Sequence, residues 1–348
     1  MISKNFLVTG LSTLVNLCCS GLVTKNDLIV YVVVKNKDNT RKFPELTHHK
    51  DIKWAKKIVN YFSYQMYIDE SVVWDCPPSE HRKSGIRIIN RINFDIKPGD
   101  FISENLILFL PRNKKNISIC TFPEGASCFN TLFTQPEKSM RLKSLFNSVV
   151  SKTLGFLGLK KYHTQWILPD VDGRVEQFLE KRKIKEIELI RIIKKIELIE
   201  IQNYLKRRKD LSFFLADQYA DFDFRSMKNI VMHTPISALS DSESLSWLKL
   251  IQSKIGEKNV LVKPHPSDPR NYKELFQGEK CIILSEKFSR LPAELLKDQM
   301  TDLCYAGFYS TLSLAFKSSE IFLVTPSNDS IVKIYERDYD SLKRIIGV

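Results

Sequence analysis

The chain has 348 residues, 43% of them hydrophobic and 27% charged, which excludes disorder and exceeds what one hydrophobic core usually organises, so two domains are expected. Its net charge of +13 implies attraction to an anion and leaves nucleic acid, acidic glycan and anionic lipid open. The seven cysteines are an odd number with no Cys-x-x-Cys pair, which argues against a disulfide framework or a zinc ribbon and for reduced thiols in the cytosol.

Met1 to Val23 is apolar, but Thr9, Gly10, Ser12, Thr13 and Asn16 interrupt it. It reads as strand, turn and helix and not as a signal peptide. Asn5 to Thr9 is the strand, Gly10 the turn, and Ser12 the N-cap of a helix through Leu14, Val15 and Leu17. Leu28 to Val34 follows as an apolar strand and Ile52 to Phe62 as an amphipathic helix, a β-α-β-α series that predicts a parallel sheet covered by helices. No run reaches the roughly 18 apolar residues of a membrane span, and the expectation is a cytoplasmic protein.

Asp75 to Pro98 is weakly patterned and reads as irregular. Leu106 to Leu110 and Ile117 to Thr121 return to strand pattern, and the second empties into Phe122-Pro123-Glu124-Gly125. Glu124 therefore lies just beyond a buried strand, where Gly125 allows a sharp turn. A catalytic carboxylate and an ordinary surface turn both fit. Lys138 to Lys161 is basic and helix-like, and Trp166 to Pro169 is a last short strand of the first half.

Arg174 to Asp210 contains no Gly or Pro and is dense in Lys, Arg, Glu and Ile. Leu189, Ile192, Ile193, Ile196 and Ile199 fall on one face of a helix. A helix packed across two domains and a basic amphipathic element at an anionic membrane surface are both consistent with this pattern.

A second α/β series follows: strand from Asn229 to Met232, helix from Leu245 to Ile255, strand from Val260 to Val262, strand from Cys281 to Leu284, and a helix opening at Leu291 with Pro292 near its start. Ser310 and Thr311 begin a helix to about Phe316, Ile321 to Thr325 is the last strand, and Ser330 to Ile346 is a closing helix. The Val260 strand runs into Lys263-Pro264-His265-Pro266. Both prolines lack a donor and fix φ, so His265 is held stiffly past a strand end, where open α/β sheets bind ligands. Ser310 and Thr311 either cap a helix or offer donors to a phosphate at its start.

Asp170-Val171-Asp172 and Asp221-Phe222-Asp223 match the Asp-x-Asp metal pattern but read as turns or surface carboxylates. The chain holds no Gly-rich phosphate loop, Walker lysine motif, G-x-S-x-G elbow or H-E-x-x-H.

The order Glu124-Gly125, Lys263-Pro264-His265-Pro266, Pro292-Ala293-Glu294, Ser310-Thr311 resembles bacterial sialyltransferases of the two-domain GT-B type, the lipooligosaccharide sialyltransferases and capsule polysialyltransferases. Those families carry an acidic-acidic-Gly motif in the first domain and Lys-x-His-Pro and Ser-Ser/Thr motifs in the second. One departure is that Pro123 occupies the first acidic position, leaving Glu124 as the single carboxylate of that motif.

The resemblance implies an α/β GT-B fold, two Rossmann-like domains facing each other across a cleft. Residues 1–173 would form the acceptor domain, 174–225 a long basic helical connector, 226–330 the CMP-sugar domain and 331–348 a closing helix. Glu124 would be the base and His265 a contact to the leaving phosphate and an acid. Lys263 and Pro266 would shape the CMP site, Glu294 would hold the ribose hydroxyls, and Ser310 and Thr311 would bind the phosphate. No metal or cofactor beyond the CMP-sialic acid donor is implied. The implied acceptor is a hydroxyl of a glycan or glycolipid, with peripheral contact to an anionic inner membrane and no nucleic-acid partner. A Kdo or other CMP-sugar transferase is the neighbouring reading. A non-enzymatic polyanion-binding protein is the reading from another class, and no nucleic-acid motif accompanies it.

Overall fold

The structure, a computed structural model, describes residues 4–33, 35–36, 51–70, 73–74, 97–103, 106, 117–122, 162–182, 186–188, 192–216, 229–232, 239–255, 260–264, 270–285, 290–299, 303–307, 311–324 and 345. The first unit opens with β1 (Asn5–Val8), α1 (Leu11–Ser20), β2 (Leu28–Val32), β3 (Lys35–Asn36), α2 (Ile52–Tyr61), β4 (Gln65–Asp69), β5 (Val73–Trp74), β6 (Phe101–Ile102), β7 (Ile117–Thr121) and β8 (Tyr162–Leu168). It continues through α3 (Arg174–Arg182), β9 (Glu186–Glu188), β10 (Ile192–Leu198) and α4 (Ile201–Ala216). The second unit comprises β11 (Asn229–Met232), α5 (Asp241–Ile255), β12 (Val260–Lys263), α6 (Tyr272–Leu275), β13 (Cys281–Ile283), α7 (Ala293–Gln299), β14 (Cys304–Gly307), 3-10 turns at Thr311–Ala315 and Ser318–Glu320, and β15 (Ile321–Leu323).

The first sheet has the order β4-β2-β1-β6-β7-β8-β10-β9. Its neighbours are parallel except β9, which runs antiparallel to β10 at the edge. The second sheet has the order β13-β12-β11-β14-β15 and is all parallel. Counted within its own unit, each begins 3-2-1-4-5, the Rossmann order. Phe6 to Val8 and Ile29 to Val32 are buried without alternation, as a sheet covered on both faces requires. The expected pair of Rossmann-like α/β units is thus observed.

Helix α1 packs Leu11, Leu14, Val15, Leu17, Cys18 and Cys19 inward. Burial pushes the Cys19 thiol up to about 12 and raises that of Cys18 well above its ordinary value, so both act as core residues. Gly21 closes the helix with φ near +80, and a Cβ there would lie 3.0 Å from the Arg207 guanidinium. Conformation and space both favour glycine.

The long helix expected over Arg174 to Asp210, assigned to the 174–225 connector, is not one helix. It divides into α3, the strands β9 and β10, and α4. The physical reason is an available sheet edge: β10 pairs with β8 over seven residues, from Ile192 against Tyr162 to Leu198 against Leu168. Its β-branched isoleucines suit a strand better than a helix. Of the strand expected at Leu106 to Leu110 only Leu106 is described, and it is helical. The helix expected after Ser310 is a short 3-10 turn. Lys138 to Lys161 and most of Asp75 to Pro98 lie outside the described residues, as does the closing helix except Ile345, which is helical and buried.

Helix α4 joins the two units. The Tyr204 hydroxyl hydrogen-bonds Asn16 Oδ1 of α1 at 2.6 Å. The Arg208 guanidinium donates twice to Asp298 of α7, at 2.6 and 2.8 Å. The Ser212 hydroxyl donates to the Leu295 carbonyl, and Gln299 Nε2 donates to the Ser212 carbonyl at 3.0 Å. One buried apolar cluster runs from Phe6 and Leu14 through Tyr204 and Leu211 to Leu295, Tyr305 and Phe316.

Candidate functional site

Strand β12 is Val-Leu-Val-Lys, buried throughout. An apolar strand flanked by parallel neighbours has no wet face, so its last residue, Lys263, is only 4% exposed. Burial lowers the Lys263 amine to about 8, while the negative charges of Glu294 and Asp51 act to raise it. Desolvation outweighs the two carboxylates.

Those carboxylates come from different units. Glu294 is in the first turn of α7 and half-buried. Pro292 precedes the helix, where its missing N–H costs nothing, and its carbonyl accepts from Leu295 N at 3.1 Å. Asp51 is the buried residue before α2, and its Oδ1 accepts from Arg290 Nη1 at 3.4 Å. Burial alone would lower the Arg208 guanidinium pKa, but Tyr204, Asp298 and Glu294 together hold it above its ordinary value. Tyr204 is raised by burial. An ionic cluster of Asp51, Lys263, Arg290 and Glu294 therefore spans the junction.

Strand register sets the rest. Met232 pairs with Lys263 on one side and with Gly307 on the other, so the ends of β11, β12 and β14 are level. Gly307 has φ near +148, a conformation that side chains avoid. Lys263 and Gly307, the last residues of β12 and β14, thus lie at the same carboxyl end of one sheet, on either side of β11 at the reversal of strand order. His265, Pro266 and Ser310 lie outside the described residues. Thr311 opens a five-residue 3-10 turn, whose dipole is much smaller than that of the helix expected there. Glu124 also lies outside the described residues. The strand before it, β7, ends at Thr121, which is buried, as is Phe122 just after it.

The Asp170 and Asp172 pair is structural. Asp170 accepts from Val175 N at 3.2 Å and Glu176 N at 2.9 Å, satisfying donors at the start of α3. Asp172 pairs with Arg174 at 2.5 Å and accepts from Ser318 N at 3.3 Å, and Arg174 donates to the Phe316 carbonyl. Asp221 and Asp223 lie outside the described residues. Among the described residues no group of three or more His, Cys, Asp or Glu is arranged to hold a metal ion.

Sequence reasoning did not find Asp51, Arg290, Arg208 or Asp298. Each is a single charged residue in an ordinary helical or loop context, and only the docking of the two units gives it a partner.

No family model matches the chain, and no curated protein does. A solved structure similar to it is a sialyltransferase from Photobacterium damselae, residues 113–497 corresponding to the GT-B domain. The identity is 12%, the TM-score 0.47, and the match covers 99% of this chain and 97% of that one.

Proposed function

We propose that this chain is an inverting, metal-independent glycosyltransferase that moves sialic acid from CMP-sialic acid to a hydroxyl of a bacterial surface glycan. The observation that carries the reading is the level end of β11, β12 and β14. There a buried Lys263 and a positive-φ Gly307 lead into the two segments whose residues suit a nucleotide monophosphate.

In the proposed reaction the acceptor hydroxyl attacks the anomeric carbon as the bond to the CMP phosphate breaks. Glu124 takes the hydroxyl proton, and the sugar carbon inverts. His265, Ser310 and Thr311 donate to the departing phosphate, which stabilises the charge developing in the transition state. Glu294 binds the ribose hydroxyls, and Lys263 and Pro266 shape the cytosine site. Lys263, whose amine burial lowers to about 8 against the opposing charges of Glu294 and Asp51, still carries a cation at neutral pH at the end of this strand. The acceptor is a glycan or glycolipid such as lipooligosaccharide, O-antigen or capsule. The enzyme works from the cytoplasmic side in peripheral contact with the inner membrane.

The test is CMP release and sugar transfer by wild type, Glu124→Ala and His265→Ala, with CMP-sialic acid and CMP-Kdo offered separately. Glu124→Ala is expected to lose transfer by about a hundredfold or more while still binding CMP, and His265→Ala to lose both donor hydrolysis and transfer. Wild-type rates in both variants would refute the residue roles. Turnover with CMP-Kdo alone would replace the donor.

A further inference from the structure

We infer that the aromatic and basic face formed by α4 and the C-terminal end of α2 is a docking surface for an anionic lipid bilayer. This deepens the membrane contact proposed above by naming its surface, and it does not depend on which sugar the donor carries.

Helix α4 packs Tyr204, Arg208, Leu211, Ser212 and Leu215 inward. Its opposite face presents Lys206, Arg207, Lys209, Asp210, Phe213 and Phe214 to solvent. Phe213 is 52% and Phe214 45% exposed, two adjacent phenylalanines on the outer side of a helix whose inner side is fully packed. They contribute little to the core, and as a pair they are a surface feature that calls for a partner.

At the end of α2 the exposed Phe214 ring meets half-buried ones that pack against the core. The Phe214 ring lies 4.8 Å from Tyr61, Tyr61 lies 4.9 Å from Phe62, and Phe62 stacks on Tyr64 at 5.5 Å with planes 10° apart. Between those stacked rings Ser63 adopts φ near +56, a left-handed conformation in a non-glycine residue. A turn held in that conformation brings Phe62 and Tyr64 together.

The charges select the partner. Along the exposed face of α4 three cations accompany one anion, Asp210. The Lys209 ammonium lies 5.9 Å from the Phe213 ring centre, so cation and aromatic share one surface. On α2, Lys53 and Lys56 are exposed as well. Aromatic rings with an apolar body settle at the headgroup level of a bilayer, and nearby Lys and Arg are drawn to anionic lipid. A second copy of this chain fits poorly: a two-fold contact would set Lys206, Arg207 and Lys209 against their own like.

The test is co-sedimentation of the full chain with vesicles of phosphatidylglycerol mixed with phosphatidylcholine, and with vesicles of phosphatidylcholine alone, without any donor. Wild type is expected to sediment with the mixed vesicles, to stay in solution with the neutral ones, and to be released by high salt. Phe213→Ala with Phe214→Ala is expected to weaken the partition by about tenfold or more. Lys206→Ala with Lys209→Ala is expected to weaken it by roughly fivefold per cation while leaving the thermal midpoint unchanged. The inference is overturned if wild type does not sediment with mixed vesicles, if the lysine variant binds as wild type does, or if wild type is a dimer in solution that the phenylalanine variant dissociates.

Discussion

Both units carry the Rossmann strand order, and they differ most where that order reverses. In the first, beside β1 and β6, Thr9 N donates to Ser103 Oγ at 2.9 Å, and Ser103 Oγ lies 3.5 Å from the Thr9 carbonyl. Two neutral residues close the opening on each other, and the buried Thr9 hydroxyl has no partner among the described residues. In the second, beside β11, a buried ammonium lies under the influence of two carboxylates, one supplied by each unit. One topology therefore carries two different chemistries. The first reversal is a packed joint, while the second keeps a charge in a place that lowers its pKa, a cost that functional sites commonly carry and packed joints do not.

The largest expected effect concerns what holds the two units in register. Asp298→Ala leaves Arg208, 3% exposed, as a buried cation without its bidentate partner. A loss of about 3–5 kcal/mol in urea unfolding is expected. A loss below about 1 kcal/mol would mean that α4 does not fix the position of Asp51 relative to Lys263.

Next in size is the pH dependence of Lys263. The unfolded chain keeps this proton up to the ordinary 10.5, whereas the folded chain releases it near 8. Between those values the unfolded state binds more protons, so the Lys263 contribution makes stability rise with pH across this window, by on the order of 3 kcal/mol at most. Cys281, raised to about 11 from 9.0 by burial, works in the opposite sense between those two values. The difference between wild type and Lys263→Met cancels the cysteine and isolates the lysine. The variant is expected to be more stable than wild type at pH 7 and to lose the advantage above pH 10.5. A difference curve flat in pH would remove the buried charge from the comparison.

The smallest effect is expected at the first reversal. Thr9→Val replaces a buried hydroxyl that has no partner among the described residues with a methyl group of similar size, and a change within about 1 kcal/mol, in either direction, is expected from thermal unfolding. A larger loss would show that the hydroxyl is bonded and that the joint is polar after all.

How much of this was legible in the sequence follows from the scale of the signals. The β-α-β openings were readable because β1, β2, β11 and β12 are short apolar runs bounded by turn residues. The two-residue β6 left no periodicity to read. Helix α5 begins at Asp241, four residues before the expected start. Ser240 and Glu243 form the reciprocal cap that sets it, with Ser240 N donating to the Glu243 carboxylate at 2.7 Å. The stretch from Arg174 to Asp210 misled because its charged residues score as helix formers, whereas its isoleucines were answering an open sheet edge that only the fold reveals. At the junction, motif order singles out Lys263 and Glu294. It does not single out Asp51 and Arg290, because their meaning lies in a contact between segments 239 residues apart.

Under the proposed function the second reversal, and not the first, receives the nucleotide. Calorimetric titration of CMP into the full chain tests this placement, comparing wild type, His265→Ala and Thr9→Val. His265→Ala is expected to weaken binding by about tenfold or more, the cost of one charge-assisted hydrogen bond to phosphate, and Thr9→Val to bind CMP as wild type does. Undiminished binding by His265→Ala together with loss in Thr9→Val would contradict it and move the nucleotide to the first unit.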